Sequence, residues 1–356
     1  KLVRDFAAAK IAPSAAERDE KELFPRELFA EMGSMGFLGL PYPEEYGGAG
    51  MDFVAYAIAV EEISKACAST GIGVSVHTSL CSWPIYKYGS EEQKKKFLTP
   101  LAEGIKLGDF GLTEPNAGTD VGGAAASAVK DGDTYVLNGT KVFNTNGGEA
   151  EIEVIFALTD KAAGPFKGMS AFIVEKGFPG FRVAQKLVKM GFRGSQTGEL
   201  VFEDCRVPAA NLVGVENEGV KVVMSGLDLE RALVAALCVG ISERALDLCV
   251  EYAKTRVQFG KPIGNFQMVQ AMLAEMFTEL EAMKTLVWRT LAEVNDLEVG
   301  GGGRGAAHKL TAASILYAGE ACNRILNHAV QIHGGSGYIW ESEINRLFRC
   351  IKILEI

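Results

Sequence analysis

The chain is predicted to be an α+β protein in which a helical part, an all-β part and a second helical part follow one another. Three observations predict it. Apolar residues recur at helical spacing through the first hundred residues, short β-rich runs with turn signals fill the middle, and long helical patterns return after about residue 216. Strand and helix do not alternate, so a parallel nucleotide-binding sheet is not indicated. The expected domains are 1–106, 107–215 and 216–356.

In the first part, "PRELFAEMGSMGF" (25–37) and "DFVAYAIAVEEISKAC" (52–67) are amphipathic at helical spacing. Ser90, with Gln93 three residues on, opens "SEEQKKKFL" as a capping-box helix start. The pattern changes from about Leu107. "TYVLNGTKVFNT" (134–145), "EVIFALTD" (153–160), "MSAFIVEKGFPGFRV" (169–183) and "GELVFEDCRV" (198–207) read as strands, punctuated by "KDGD", "NGG" and "FPGF". Helices are expected at roughly 222–255, 266–296 and 306–330.

Composition excludes several classes. A net charge of −9 over 356 residues, with no basic stretch, argues against nucleic-acid binding. The longest apolar run, Ala232 to Ile241, is about half of the roughly 20 residues that a membrane helix needs, and reads as a buried helix. Seven scattered cysteines without a C-x-x-C pair argue against structural zinc and a disulfide framework, and fit a reducing compartment. His77, His308, His328 and His333 lack metal-ligand spacing, so no metal is expected. "GGGGRG" (300–305) fits G-x-G-x-x-G by letter, yet it follows the helical "WRTLAEVNDLE" and is read as an interhelical link. The opening "KLVRDFAAAKIAP" starts mid-helix without a methionine, so any targeting segment would lie upstream.

Four segments invite chemistry. "FGLTEPNAGTD" (110–120) offers hydroxyls at Thr113 and Thr119 where helix gives way to strand, and its bland reading is a polar interdomain loop. "RVQFGKPIGNFQ" (256–267) joins a cation, an aromatic and an amide, or is a plain surface loop. "QIHGGSGY" (331–338) offers an amide and a glycine pair, or is a glycine-capped helix end. In "SGLDLERALVAAL" (225–237), Glu230 sits in an almost wholly apolar run, where an unpaired carboxylate costs several kcal/mol or takes up a proton. Its bland reading is a solvated first helical turn, with Asp228 and Arg231 as an i,i+3 pair.

In this order and spacing, the segments resemble the acyl-CoA dehydrogenase family of flavoproteins. The resemblance runs almost the whole chain through "GFLGLPYPEEYGGAG" (36–50), "YGSEEQKKKFLTPLAEG" (88–104), "LNGTKVFNTNGG" (137–148), "KMGFRGSQTGELVFEDCRVP" (189–208) and "GEACNRILNHAVQIHGGSGY" (319–338). It implies an N-terminal α-helical domain, a central β-barrel or sandwich domain and a C-terminal four-helix bundle, with FAD extended between the last two. By resemblance, Phe110 to Thr119, with Leu112 and Gly118 among them, would line the isoalloxazine, and Thr113 would hydrogen-bond it. Phe143, Asn144 and Thr145 would flank its other side. Arg256, Phe259, Gln267 and the Gln331–Gly335 segment, including Gly334, would reach the FAD of a neighbouring subunit, which implies a homotetramer, a dimer of dimers. Thr119 would also touch the thioester side of the acyl-CoA, Lys167 a CoA phosphate, and Lys221 would lie near the substrate. Asp228 and Arg231 would position the acyl-CoA.

The family removes the α-proton of an acyl-CoA with a carboxylate while the β-hydrogen leaves as hydride to flavin N5. The carbonyl must be polarised and the base desolvated for this to run at working pH. "DLER" (228–231), with the preceding "SGL", matches the isovaleryl form of the catalytic segment, so Glu230 is the expected base. Other members place the base in a "YEGT"-like turn after a segment that matches "RCIKILEI" (349–356). That turn and the helix after it are not among these 356 residues, and Glu355 is the only other acid nearby.

Some positions depart from the pattern. Cys350 replaces an aspartate, which puts local ion pairing in doubt, and Asn144 replaces an aliphatic residue and would add a hydrogen bond to the flavin. Gly71 stands where the glutaryl-CoA enzyme has its carboxylate-binding arginine, so glutaryl-CoA is disfavoured. Ala236, Leu237 and Trp340 argue against isovaleryl specificity. The expectation is an FAD-dependent dehydrogenase making a trans-2-enoyl-CoA from a short, branched or ring-bearing acyl-CoA. It would pass electrons to electron-transfer flavoprotein, in a bacterial cytoplasm or a mitochondrial matrix. The rivals are an oxidase or flavin monooxygenase on the same fold and a non-catalytic assembly protein.

Overall fold

The structure is a computed structural model and describes residues 1–296 and 305–356. Except for Gly305, the "GGGGRG" stretch lies outside the described residues.

The first hundred residues are helical, and three of their helices matter for the site: α1 (Arg26–Ser34), α2 (Phe53–Ala66) and α3 (Ala68–Val76). Asp52 starts α2 by accepting from Ala55 N at 2.8 Å, a side-chain N-cap. α3 continues directly into a π-helical turn, His77–Ser82. The Ser90–Gln93 capping box forms in both directions, at 3.0 and 3.2 Å.

The middle of the chain folds into one eight-stranded sheet: β1 (Gly108–Gly111), β2 (Ser127–Asp131), β3 (Thr134–Thr145), β4 (Ile152–Leu158), β5 (Met169–Glu175), β6 (Phe181–Lys186), β7 (Thr197–Pro208) and β8 (Leu212–Val213). The order is β6-β7-β3-β2-β4-β5-β8, with β1 parallel to β4. Strands β3 and β7 match their sequence signals closely. The run 169–183 divides into β5 and β6 around the turn that "FPGF" announces. β1 and β2 were not foreseen, because "GDFG" is four residues between glycines and half of β2 faces water.

β4 is buried along its whole length, and its alternating side chains serve two cores. Ile155 and Ala157 join Tyr135, Leu137, Phe172 and Phe202 in a core belonging to the sheet. Ile152, Val154 and Phe156 point the other way and merge with the large core of the helices. The sheet is thereby attached to the helical part through apolar packing on one face.

After β8 come α4 (Gly219–Thr255), a small hairpin of β9 (Val257–Gln258) and β10 (Lys261–Pro262), then α5 (Gln267–Asp296), α6 (Ala306–His333) and α7 (Glu343–Ile351). Among the described residues, the C-terminal helical region is thus three long helices and a shorter fourth. α4 crosses α2 at Gly240, where a Cβ would lie 2.2 Å from the Glu61 carbonyl oxygen, so only glycine permits the approach. Among the described residues no helix is long and apolar enough to cross a membrane. None of their histidines, cysteines and acids cluster to hold a metal. All seven cysteines are free and buried.

Candidate active site

Glu230 lies in the fourth turn of α4, not the first, and it is 9% exposed. The solvated-first-turn reading therefore fails, since Asp228 is also buried, at 2%. The Glu230 carboxylate faces α3 and the π-helical turn. Its Oε2 accepts from Ser75 Oγ at 2.9 Å and also contacts Ser79 Oγ. No described residue donates to Oε1. Burial pushes the carboxyl up to about 7, and the two serine hydroxyls pull it partly back.

Asp228 and Arg231 form the expected i,i+3 pair at 3.1 Å. Asp228 also accepts from His308 Nδ1 of α6 at 2.8 Å. Two residues along a helix is about 200° around it, so Asp228 and Glu230 leave α4 on nearly opposite faces. Asp228 and Arg231 are committed to His308 and to each other rather than standing beside the Glu230 carboxylate.

β1 carries the "FGLTEPNAGTD" loop to the same region. Gly108 N donates to His77 Nδ1 at 2.9 Å, which ties the strand to the π-helical turn that also holds Ser79. The loop is then fastened to β3: Val142 N donates to the Thr113 carbonyl at 2.9 Å, and Lys141 Nζ donates to the Leu112 carbonyl at 3.0 Å. Lys141, fully buried, also pairs with Glu114 at 2.7 Å. Glu114 in turn accepts from Ala125 N and Ala126 N, at 2.7 and 3.1 Å, closing the loop on itself.

A register shift between Lys141 and Asn144 breaks β3 at this point. It leaves Phe143 at φ 60 and 69% exposed, while Asn144 turns inward. Asn144 Nδ2 donates to the Gly198 carbonyl at 3.0 Å, so the amide nitrogen expected to reach a flavin is already used inside the sheet. Phe110 lies at the edge of the core, 9% exposed, while Leu112, Thr113 and Thr145 are half-buried, and Gly118 and Thr119 exposed. The fold thus brings 110–119 and 143–145 together at one sheet edge. Lys167 and Lys221 are exposed.

The other expected flavin residues gather elsewhere. At about 1.5 Å per residue, the 25 residues from Glu230 to Thr255 place the C-terminal end of α4 roughly 38 Å from Glu230. At the far end, Tyr252 stacks on His333 with ring centroids 4.4 Å apart, joining α4 to the end of α6. That contact sets the end of α4, which leads into Arg256, beside the segment from Gln331 to Gly335 that holds His333, and α5, which begins at Gln267, packs along α6. Phe259 is 92% exposed at φ 51 on the hairpin tip, and Arg256 is exposed without an ion pair to a described residue. Threonine hydroxyls and an exposed aromatic in one region, with a guanidinium that makes no ion pair to a described residue and two amides in the other, are residue types that fit a flavin dinucleotide.

Four contributors were not named from sequence: Ser75, Ser79, Lys141 and Glu114. The serines carry one weak signal, two hydroxyls at i,i+4 in a helical run that also holds Thr70, His77, Thr78 and Ser82. Glu355 pairs with Lys352 at the edge of a cavity of about 990 Å³, which Arg231 and Phe348 also line. Cys350 accepts from Phe192 N at 3.2 Å, and the ion pairing in doubt there is kept by Arg349 with buried Asp19.

Comparison with known proteins bears on all three parts of the chain. The models for the acyl-CoA dehydrogenase N-terminal, middle and C-terminal domains match residues 1–105, 109–205 and 217–356. The short-chain specific acyl-CoA dehydrogenase of Clostridium acetobutylicum is 46% identical over 356 residues, covering 100% of this chain and 92% of that protein. The butyryl-CoA dehydrogenase structure from Megasphaera elsdenii superposes with a TM-score of 0.95 at 45% identity, covering 100% of this chain and 92% of that one. A chain solved in work on the electron transferring flavoprotein of Acidaminococcus fermentans and flavin-based electron bifurcation does so at 0.95 and 46%, covering 100% and 91%. With the fold, the flavin-loop geometry and these matches in agreement, the chain belongs to the acyl-CoA dehydrogenase family, oxidoreductases whose cofactor is FAD.

Proposed function

We propose that this acyl-CoA dehydrogenase converts a short or branched acyl-CoA to the trans-2-enoyl-CoA, with Glu230 as the base for the α-proton. The observation that carries this reading is the Glu230 carboxylate: buried, raised to about 7, anchored through Oε2 and open at Oε1, in the same corner as the 110–119 loop. A base so poised is charged for an appreciable fraction of the time near neutrality and strong enough to accept a carbon-bound proton. Short-chain relatives such as the Clostridium and Megasphaera enzymes support the acyl length.

Bound FAD supplies the hydride-accepting chemistry. Thr113, Thr119 and Thr145 would donate to it, with Leu112 and Gly118 shaping the loop, Phe110 backing it and Phe143 covering its edge. Asn144 would act from inside, by holding β3 to β7 at the bulge rather than by touching the ring. Arg256 would make a charge-assisted contact with the pyrophosphate of a neighbouring chain. Phe259, Gln267, Gln331, Gly334 and Gly335 would complete that contact. The roughly 38 Å between Glu230 and the C-terminal end of α4 supports the shared site, and with it the homotetramer reading. Thr119, Lys167 and Lys221 would meet the CoA, and Arg231, held by Asp228, would border the acyl site. Electron-transfer flavoprotein is the proposed electron acceptor, a reading that the Acidaminococcus relative supports.

The test is anaerobic mixing with a panel of acyl-CoAs while the oxidised flavin band is followed. The wild type is expected to bleach with a short or branched acyl-CoA, and Glu230→Gln to bind it and stay oxidised. Bleaching of Glu230→Gln at the wild-type rate would remove Glu230 from the mechanism. Arg256→Met is expected to weaken FAD binding about thirtyfold, the loss of one charge-assisted hydrogen bond. Unchanged FAD affinity would exclude Arg256 from the cofactor site.

A further inference from the structure

Ser79 has one hydroxyl proton and two acceptors within reach. One is the Ser75 carbonyl of the preceding helical turn, at 2.7 Å, and the other is Glu230 Oε2. Ser75 Oγ, by contrast, has a single partner, Oε2, at 2.9 Å. Oε2 is therefore gripped by one fixed donor and one that must choose. The choice arises in the π-helical turn, where Ser82 Oγ donates to the His77 carbonyl five residues back, at 2.9 Å, and Ser79 is turned towards α4. Single π turns inside α-helices are frequent at functional sites.

We infer that Ser75 and Ser79 are positioning residues for Glu230, which fix Oε2 and leave Oε1 as the atom that takes the proton, and that the Ser79 hydroxyl rotates with the charge on the carboxylate. The inference rests on the reading of Glu230 as the base and adds how that base is held. While Glu230 is charged, Ser79 donates to Oε2. When the substrate C–H bond breaks and an O–H bond forms at Oε1, the carboxyl becomes neutral and Ser79 turns back to the Ser75 carbonyl. No bond to Ser79 is made or broken, and the substrate proton remains on Glu230. A donor that follows the charge stabilises the carboxylate without holding as strongly against its neutralisation.

No formal charge competes for this role in the immediate shell. From α2 the facing titratable group is Tyr56, whose hydroxyl donates to the Val74 carbonyl at 2.8 Å. From the π-helical turn it is His77, spent on Gly108 N and the Leu101 carbonyl, and Cys81, directed at the Ile152 carbonyl. From α6 it is His308, paired with Asp228, itself bound to Arg231 on the opposite face of α4.

The experiment measures the pH dependence of flavin reduction by the acyl-CoA that bleaches the wild type, in Ser79→Ala, Ser75→Ala and Ser79→Cys. The cysteine keeps the volume and weakens the donor, which guards against a mere packing defect. Each alanine is expected to move the midpoint upward by about one unit, so that reduction below both midpoints slows about tenfold while acyl-CoA affinity holds. Ser79→Cys should fall between. Isotope-edited infrared spectra of the Glu230 carboxyl report the same shift without turnover. A slower reduction with an unmoved midpoint, or an unmoved carboxyl titration in both alanine variants, would overturn the inference. If Glu230→Gln still bleaches, the assignment of the base fails instead, and the infrared titration still decides how the carboxyl is held.

Discussion

Glu230 and the Asp109–Glu153 pair are both buried without a neighbouring cation in hydrogen-bonding contact, and they resolve the problem differently. At the helical corner, Glu230 is held by two hydroxyls and keeps one oxygen open. In the sheet, Asp109 and Glu153 face each other in register on β1 and β4, both fully buried. Asp109 Oδ2 and both Glu153 oxygens find no donor. Burial raises both acids, and one shared proton satisfies the pair. The first arrangement preserves a carboxylate that can change state during a reaction. The second sets two acids against each other inside the sheet, where strand pairing fixes them. Burial and a raised pKa alone therefore do not mark a catalytic acid; Glu230 faces two hydroxyls, whereas the acids of the pair face each other. Glu114 takes another solution, a buried lysine.

The comparison can be broken from its largest consequence downward. Glu230→Gln should cost about 10³-fold in flavin reduction, within the range for removing a general base, whereas Glu153→Gln should leave reduction nearly intact. Equal losses in stopped-flow traces would erase the distinction. Lys141→Met should strand the Glu114 carboxylate and lower stability by about 3 kcal/mol in urea titrations, with much of it recovered by adding Glu114→Gln. No recovery in the double variant would show that Lys141 acts through packing, not charge.

The smallest effect concerns pH. Asp109 and Glu153 both lie above their unfolded values, so their contribution to stability is fully present below the unfolded value near 4 and is lost as pH climbs through the folded values. Wild-type stability should therefore decline from pH 6 to 9. In Glu153→Gln a permanent amide donor replaces the shared proton, and the decline should be about 1 kcal/mol shallower. Parallel pH curves for the two proteins would show that the pair is not what titrates.

Much of the architecture was legible in the chain. Helical spacing located α4 to α6 within a few residues, and alternation with turn signals located β3, β4 and β7. β1 and β2 were illegible for a physical reason. β1 is held by its place against β4 and the π-helical turn rather than by the propensity of "GDFG". At the site, Glu230 stood out because an acid in an apolar helix demands an explanation, whereas Asn144 gave no sign that its amide would be spent on Gly198.

The sequence by itself determined the helix–sheet–helix order, the flavin-loop and hairpin segments, and the singling out of Glu230 in "SGLDLERALVAAL", because periodicity, turn chemistry and motif spacing are local properties. Only the tertiary structure decided what that acid meets. Ser75 lies 155 residues from Glu230, and the π turn that carries Ser79 packs against α4. Likewise, Asp109 meets Glu153 only through strand register. Which oxygen stays open, and which buried acid shares its proton, depend on contacts between distant segments, and no local pattern encodes them.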